Sequence, residues 1–378
     1  MAQELYKRAK IMSPARRILP HILAAALPIG LIVLYYIVRD NRELMDWVNV
    51  HITAPYRNGA AAVTSFGPFQ FFSLAEILIT LLVLWVVFYL LGMIVHLIRG
   101  PYRLACLGRR LFVMATVALY IFAAYSWLWG GVYDATSFSS ISGLATEGVS
   151  VRQLAETTEY FAQQANRLSG EVQRDADGRF NEDPDYYFTL SRGLYANLER
   201  QYPTLRGTAY RPKAMIYSRL MSTIGFTGVY IALTGETNIN TDAPGCLVPS
   251  TIAHEMAHQR GVAAEEEANF VGIAACITSK ITVYEYSGYL SGLMYLSEAL
   301  NKADPEAWAS ISATLNENVV RDWTDNSTYW SQFETGAAEA VTAMYDSYLK
   351  YNGQELGIES YGACVDLLVT WTASRIAA

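Results

Sequence analysis

The residues whose types and spacing could do chemistry are His254-Glu255-Met256-Ala257-His258. On a helix, positions i and i+4 lie on one face. His254 and His258 can therefore present two imidazole nitrogens to one tetrahedral Zn²⁺. Glu255 is rotated about 100° from His254 by helix geometry. That leaves it beside the metal, where it can take a proton from a bound water. Pro249-Ser250 ahead of the run supplies a helix start, and Gly261 beyond it a stop. The bland alternative is a chance match on a surface helix. It must explain how two of only five histidines in 378 residues fell at this spacing around a glutamate.

A catalytic zinc usually takes three protein ligands and a water. His21 and His96 lie in or beside apolar spans, and His51 lies in a short loop far upstream. A carboxylate must serve, and Glu265, Glu266 and Glu267 follow at once. If a second helix starts near Ala263, then Glu265, Ala268, Asn269, Gly272 and Cys276 form one stripe, small enough to pack close to the first helix. Glu265 is the expected ligand. Asn269, one turn on, is expected to hydrogen-bond a ligand histidine. Glu266 and Glu267 point elsewhere, and a solvated helix start, where acidic residues favour the dipole, accounts for them.

These residues carry a resemblance. His254-Glu255-x-x-His258 followed by Glu265-x-x-Ala268-Asn269 is similar to gluzincin-type metallopeptidases, in which the Glu supplies the third ligand. The gap from His258 to Glu265 is shorter than that pattern has. The fuller run His254–Gly261 and Glu265–Phe270 resembles the bacterial DUF3810 family of membrane zinc-peptidase-like proteins. Gly225–Tyr230, Thr234–Asn238, Tyr345–Leu349 and Ser360-Tyr361-Gly362 resemble it too. The resemblance implies a bacterial membrane location and peptide or protein substrates. A phenol or imidazole that stabilises the transition state is expected in such enzymes. No histidine remains downstream, so Tyr361, in the resembling segment, is the nominee.

Around the motif the chain must build a scaffold, and its composition calls for a membrane. It is 52% apolar with only 17% charged residues. The net charge of −7 carries no basic stripe outside the membrane flanks, which excludes nucleic acid as an expected partner. Residues 18–38, 74–98 and 111–129 are apolar runs long enough to cross roughly 30 Å of hydrocarbon. The first is too long for a signal peptide and lacks a small-residue cleavage site. Glu76, near one end of the second, requires an interfacial position. Basic residues crowd the N-terminal tail (Lys7, Arg8, Lys10, Arg16, Arg17) and the second loop (Arg99, Arg103, Arg109, Arg110). Both should face the cytoplasm, which puts everything after Trp129 outside.

The expected architecture is mainly α. Residues 1–17 form a cytoplasmic tail and 18–130 a membrane domain with three transmembrane helices. Residues 131–378 form an extracytoplasmic, zincin-like, mostly helical metallopeptidase domain with a short substrate-binding β region. Residues 130–141 read as a small-residue linker. Helices are expected over 151–168, 186–200, 213–223 and 284–300, and a strand over 228–234. In zincin proteases an edge strand ahead of the His-Glu-x-x-His helix holds peptide by strand addition. Thr234, Gly235, Glu236 and Asn238 are the candidates for that contact, with a plain hairpin and loop as the rival. Cys246 and Cys364 could pair. The expected activity is a membrane-anchored zinc metallopeptidase; the alternative is a zinc-binding extracytoplasmic sensor or scaffold that does not cut.

Overall fold

The computed structural model describes residues 14–144, 148–354 and 364–376. Helices α1 (Pro14–Val38), α2 (Leu74–Arg99) and α3 (Arg103–Tyr125) are long and apolar enough to cross a membrane. Their large side chains, among them Leu23, Ile37, Phe88 and Ile98, point away from the protein. A helix that is apolar all round is built to be buried, in a protein core or in a membrane. α3 packs against both α1 and α2.

The stretch 130–141 is not a loose linker. α3 runs on through a π-helical turn, Ser126–Gly130, into Gly131–Tyr133. Asp134 then accepts from Tyr35 Oη at 2.5 Å and from Arg39 at 2.9 Å. Asp46 accepts from both the Thr136 amide and hydroxyl at 2.7 Å. Small residues permit these close approaches, so composition alone suggested a tether where the chain is pinned.

Helix α4 (Val151–Ser169) starts at a reciprocal cap between Ser150 and Gln153. The expected helix over 186–200 is broken into Pro184–Leu190, the 3₁₀ turn Ser191–Gly193 and Leu198–Gln201. Residues 213–223 split as well. Strand β1 (Lys213–Ala214) pairs before a short helix, Ser218–Thr223, begins. Strands β2 (Gly228–Ile231) and β3 (Glu236–Ile239) complete a three-stranded sheet in the order β1-β3-β2. β3 is parallel to β1 and antiparallel to β2. The pairing partner, not local propensity, decided that Lys213 is extended.

Further helices follow, among them α5 (Val248–Gln259), α6 (Glu265–Thr278), α7 (Thr282–Ala303), α8 (Glu317–Ser331), α9 (Gly336–Tyr351) and α10 (Cys364–Ile376). α6 packs against α5, α7 and α10 and is buried on nearly every side. That explains its weak amphipathicity: Phe270, Val271, Ile273 and Ala274 face four directions and are all inside. α7 also packs along α4. All four cysteines are free, Cys246 and Cys364 included.

Candidate metal centre

α5 and α6 bring the chemistry together. They cross so closely that a Cβ on Gly272 would sit 2.8 Å from the His254 backbone nitrogen. Only glycine allows that approach, because backbone atoms cannot move aside as a side chain can. Across the contact, the Glu265 carboxylate meets both histidines. Its Oε2 lies 3.2 Å from His254 Nε2 and its Oε1 3.5 Å from His258 Nε2. Metal–ligand distances near 2.0–2.1 Å in a tetrahedral site put adjacent ligand atoms ~3.3 Å apart. Each imidazole meets one carboxylate oxygen at close to that length. All three donor atoms lie within 4.8 Å of one another. His254, His258 and Glu265 can hold a metal ion, and a donor set of two imidazoles and one carboxylate suits zinc.

The surroundings fix these donors. Val262 O accepts from His258 Nδ1 at 2.7 Å, which leaves the Nε2 lone pair directed at the site. The chain reverses at Gly261 (φ +91°), and this carries the Val262 carbonyl back over the ring. Asn269, expected to bond a histidine, does not. Its Nδ2 and His254 Nδ1 both lack a partner among the described residues. The backbone carbonyl beyond the helix end took the place assigned to the amide. Burial works against the charged form of His258, but the facing Glu265 carboxylate outweighs it and raises the imidazole to about 9. Burial would raise Glu265, yet His258 and His254 hold it well below the usual carboxylate range.

Glu255 is buried beside the ligands. Burial raises its carboxyl, against the pull of both histidines. It also touches β2: a Cβ on Gly228 would come within 2.7 Å of Glu255 Cγ and Oε1. A cleft of about 780 Å³ opens here, lined by Glu255 and the three ligands, by Gly225–Tyr230, and by Tyr345. A carboxylate beside a triad that could hold a metal, at the wall of such a cleft, is an arrangement able to activate water against an electrophile.

The structure redistributes the rest of the expected site. Thr234, Gly235, Glu236 and Asn238 do not line the cleft. β3 is the middle strand, and the chain between α1 and α2 covers this end of the sheet. Thr64 Oγ1 donates to Thr234 O at 3.2 Å, and Ser73 Oγ to Asn238 Oδ1 at 2.7 Å. Glu236 accepts from the Leu74 and Ala75 amides, and Gln259 Nε2 donates to Gly235 O. These residues anchor the start of α2. Among the described residues, the strand with an unpaired edge at the cleft is β2. Tyr361 lies outside the described residues. Glu266 and Glu267 are not at a solvated face either. Gln354 Nε2 donates to Glu266 at 2.9 Å, and Glu267 is buried, accepting the Phe138 and Ser139 amides at 2.9 and 2.8 Å.

Two participants escaped sequence reasoning. Tyr345, on α9, donates to Glu265 Oε1 at 2.7 Å. Trp129, at the end of the third apolar run, packs edge-on to His258 with ring centres 5.5 Å apart and donates to Tyr348 Oη at 3.0 Å. Tyr345 begins the Tyr345–Leu349 segment that resembles the family, but no spacing relation to the motif assigns it, or Trp129, to the site.

A family model described as "Protein of unknown function (DUF3810)" matches residues 56–369. The chain belongs to the DUF3810 family. Among curated proteins and solved structures, nothing matches it. The DUF3810 match covers the second and third apolar helices, the sheet, α5 and α6, so His254, His258 and Glu265 lie inside the matched span of chain.

Proposed function

We propose that this DUF3810 protein is a membrane-anchored zinc metallopeptidase. The observation that carries the reading is the triad of His254 Nε2, His258 Nε2 and the Glu265 carboxylate, at 3.2 and 3.5 Å contacts, with Glu255 buried beside it on a cleft wall. Zinc bound there would polarise a carbonyl and bring the pKa of a water toward neutrality. Glu255 takes the proton of the attacking water and returns it to the leaving amine. β2 offers its unpaired edge to an extended peptide, and Gly228 keeps that edge close to Glu255. Tyr345 holds the Glu265 carboxylate in its orientation. The basic tail and second loop lie on the cytoplasmic side, and the cleft lies on the opposite face.

The test uses the full chain purified in detergent. Zinc content is measured, and a broad peptide library is digested by wild type and by Glu255→Gln. Cleavage by wild type alone, with zinc in both, supports the reading. Zinc in both and cleavage by neither would leave a metal-stabilised sensor or scaffold domain instead.

A further inference from the structure

Two segments outside the three long helices expose large apolar side chains with no protein cover among the described residues. One is the 63–72 turn, with Val63, Phe66, Phe69, Phe71 and Phe72. The other is the chain around the short helix Ser218–Thr223, with Ile216, Tyr217 and Leu220. Phe66 is 79% exposed, Ile216 78% and Leu220 60%. A soluble face seldom gathers so many; contiguous apolar patches mark contact with a membrane or a partner.

The two segments are tied to each other. Lys213 Nζ donates to Thr64 O at 3.0 Å and to Phe69 O at 2.7 Å, and Arg211 stacks on the Phe71 ring. They are also tied to the start of α2. Glu76 accepts from the Ile216 amide at 3.0 Å and the Tyr217 amide at 2.7 Å. Tyr217 Oη lies 3.4 Å from Thr80 Oγ1. Glu76, the one carboxylate in the apolar run of α2, is thereby satisfied without water.

The depth follows from length. α2 has 26 residues. At 1.5 Å per residue that is about 39 Å, against about 30 Å of hydrocarbon. The excess is about 9 Å, or about six residues. If all of it lay at the Leu74 end, Thr80 would mark the hydrocarbon boundary. Any sharing with the Arg99 end places Thr80 deeper. Ile216 and Tyr217 lie alongside this stretch, so they cannot be in bulk water when α2 spans.

We infer that the 63–72 turn and residues 216–220 form a second membrane contact, embedded in the leaflet at the Leu74 end of α2. Its occupant is lipid, by continuity with the lipid-facing surface of α2. The inference rests on α2 being a membrane span. Embedding lays the apolar side chains about 5–10 Å into the headgroup and acyl boundary, as an interfacial helix does. Ile224, Gly225 and Phe226 follow directly and line the cleft. The cleft is thereby seated at the lipid surface.

The experiment places an environment-sensitive fluorophore on Phe66→Cys, Ile216→Cys and Leu220→Cys in the full chain. Cys106→Ser removes the one thiol that is not buried. The protein is reconstituted in phosphatidylcholine vesicles with doxyl-labelled lipid or aqueous iodide as quencher. Labels on Phe88→Cys, within α2, and on exposed Arg152→Cys calibrate lipid and water. The expected result is blue-shifted emission, quenched by doxyl lipid and not by iodide, at all three test sites. Iodide quenching equal to that at residue 152 would overturn the proposal. Shielding from both quenchers would mean a protein cover and would overturn it as well. A residue-88 label open to iodide would instead show that α2 does not span.

Discussion

Glu265, Glu266 and Glu267 are adjacent, yet each carboxylate meets a different element. Glu265 faces His254 and His258, Glu266 meets Gln354, and Glu267 takes two amides at the start of the Phe138–Ser142 helix. Glu265→Ala should abolish metal retention under graded chelator dialysis. Glu267→Ala should leave retention intact and lower stability by about 1–3 kcal/mol, the cost of stranding buried amides. Equal metal loss in both would mean that α6 is out of phase with this geometry. Glu255→Gln should keep zinc and lose hydrolysis by a factor on the order of 10² or more, measured as initial rates on a cleaved peptide. Tyr345→Phe removes the phenol that holds Glu265 and should weaken zinc binding roughly 10-fold, read by competition with a chromophoric chelator. Asn269→Ala should weaken it less, because no hydrogen bond links Asn269 to either ring.

At the scale of elements, the candidate metal centre depends on one helix crossing and one strand. The α5–α6 crossing closes over Gly272, where a side chain would strike the His254 backbone. Gly272→Val should separate the two helices and abolish zinc retention, although residue 272 is no ligand. Gly228 serves the strand. Gly228→Ala should leave zinc bound while cutting hydrolysis, because its methyl displaces Glu255 rather than a histidine. Retained activity in Gly228→Ala would show that β2 stands farther from the base than 2.7 Å contacts require. The sheet has its own pH signature. Lys213 is buried between the sheet and the 63–72 turn, and burial lowers its pKa from 10.5 to about 8, against the pull of Glu236 and with Arg211 and Arg192 adding to the depression. The unfolded chain therefore binds more protons than the folded one between about pH 8 and 10.5. Stability contributed by this group rises with pH across that window. Lys213→Met should flatten the slope of the melting midpoint there relative to wild type.

For the whole molecule, the long apolar helices and the candidate metal site are joined physically. Trp129, at the end of α3, packs on His258, and the chain between α1 and α2 ties down the strand that precedes α5. Chelation should therefore lower the melting midpoint of the full chain, since a metal held only by the folded state stabilises it by ~2.7 kcal/mol at 100 times its Kd. A cytoplasm-dependent reporter fused after Ala378 should be silent; strong signal would reverse the orientation. If the cleft sits at the lipid surface, a peptide tethered by an acyl chain to the same vesicles should be cut on the order of 10-fold or more faster than its free form, through effective concentration. Equal rates would mean that the cleft draws from bulk water.

Short-range pattern determined a good part of this protein. The i, i+4 histidines, the phase that singles out Glu265 and the three apolar runs are all local, and local geometry is enough to read them. α4, expected over 151–168, was legible for the same reason. What sequence misplaced depended on partners far along the chain. Thr234–Asn238 looks like an edge strand until β1, with only two residues, pairs on its far side and residues 54–75 cover it. Asn269 is on the right stripe, but the Val262 carbonyl reaches His258 first. Tyr345 joins the site from 80 residues away. Helical phase is set by bonds four residues apart, so sequence carries it. Which strand becomes an edge, and which hydroxyl reaches a carboxylate, is set by tertiary packing, and only the folded chain decides it.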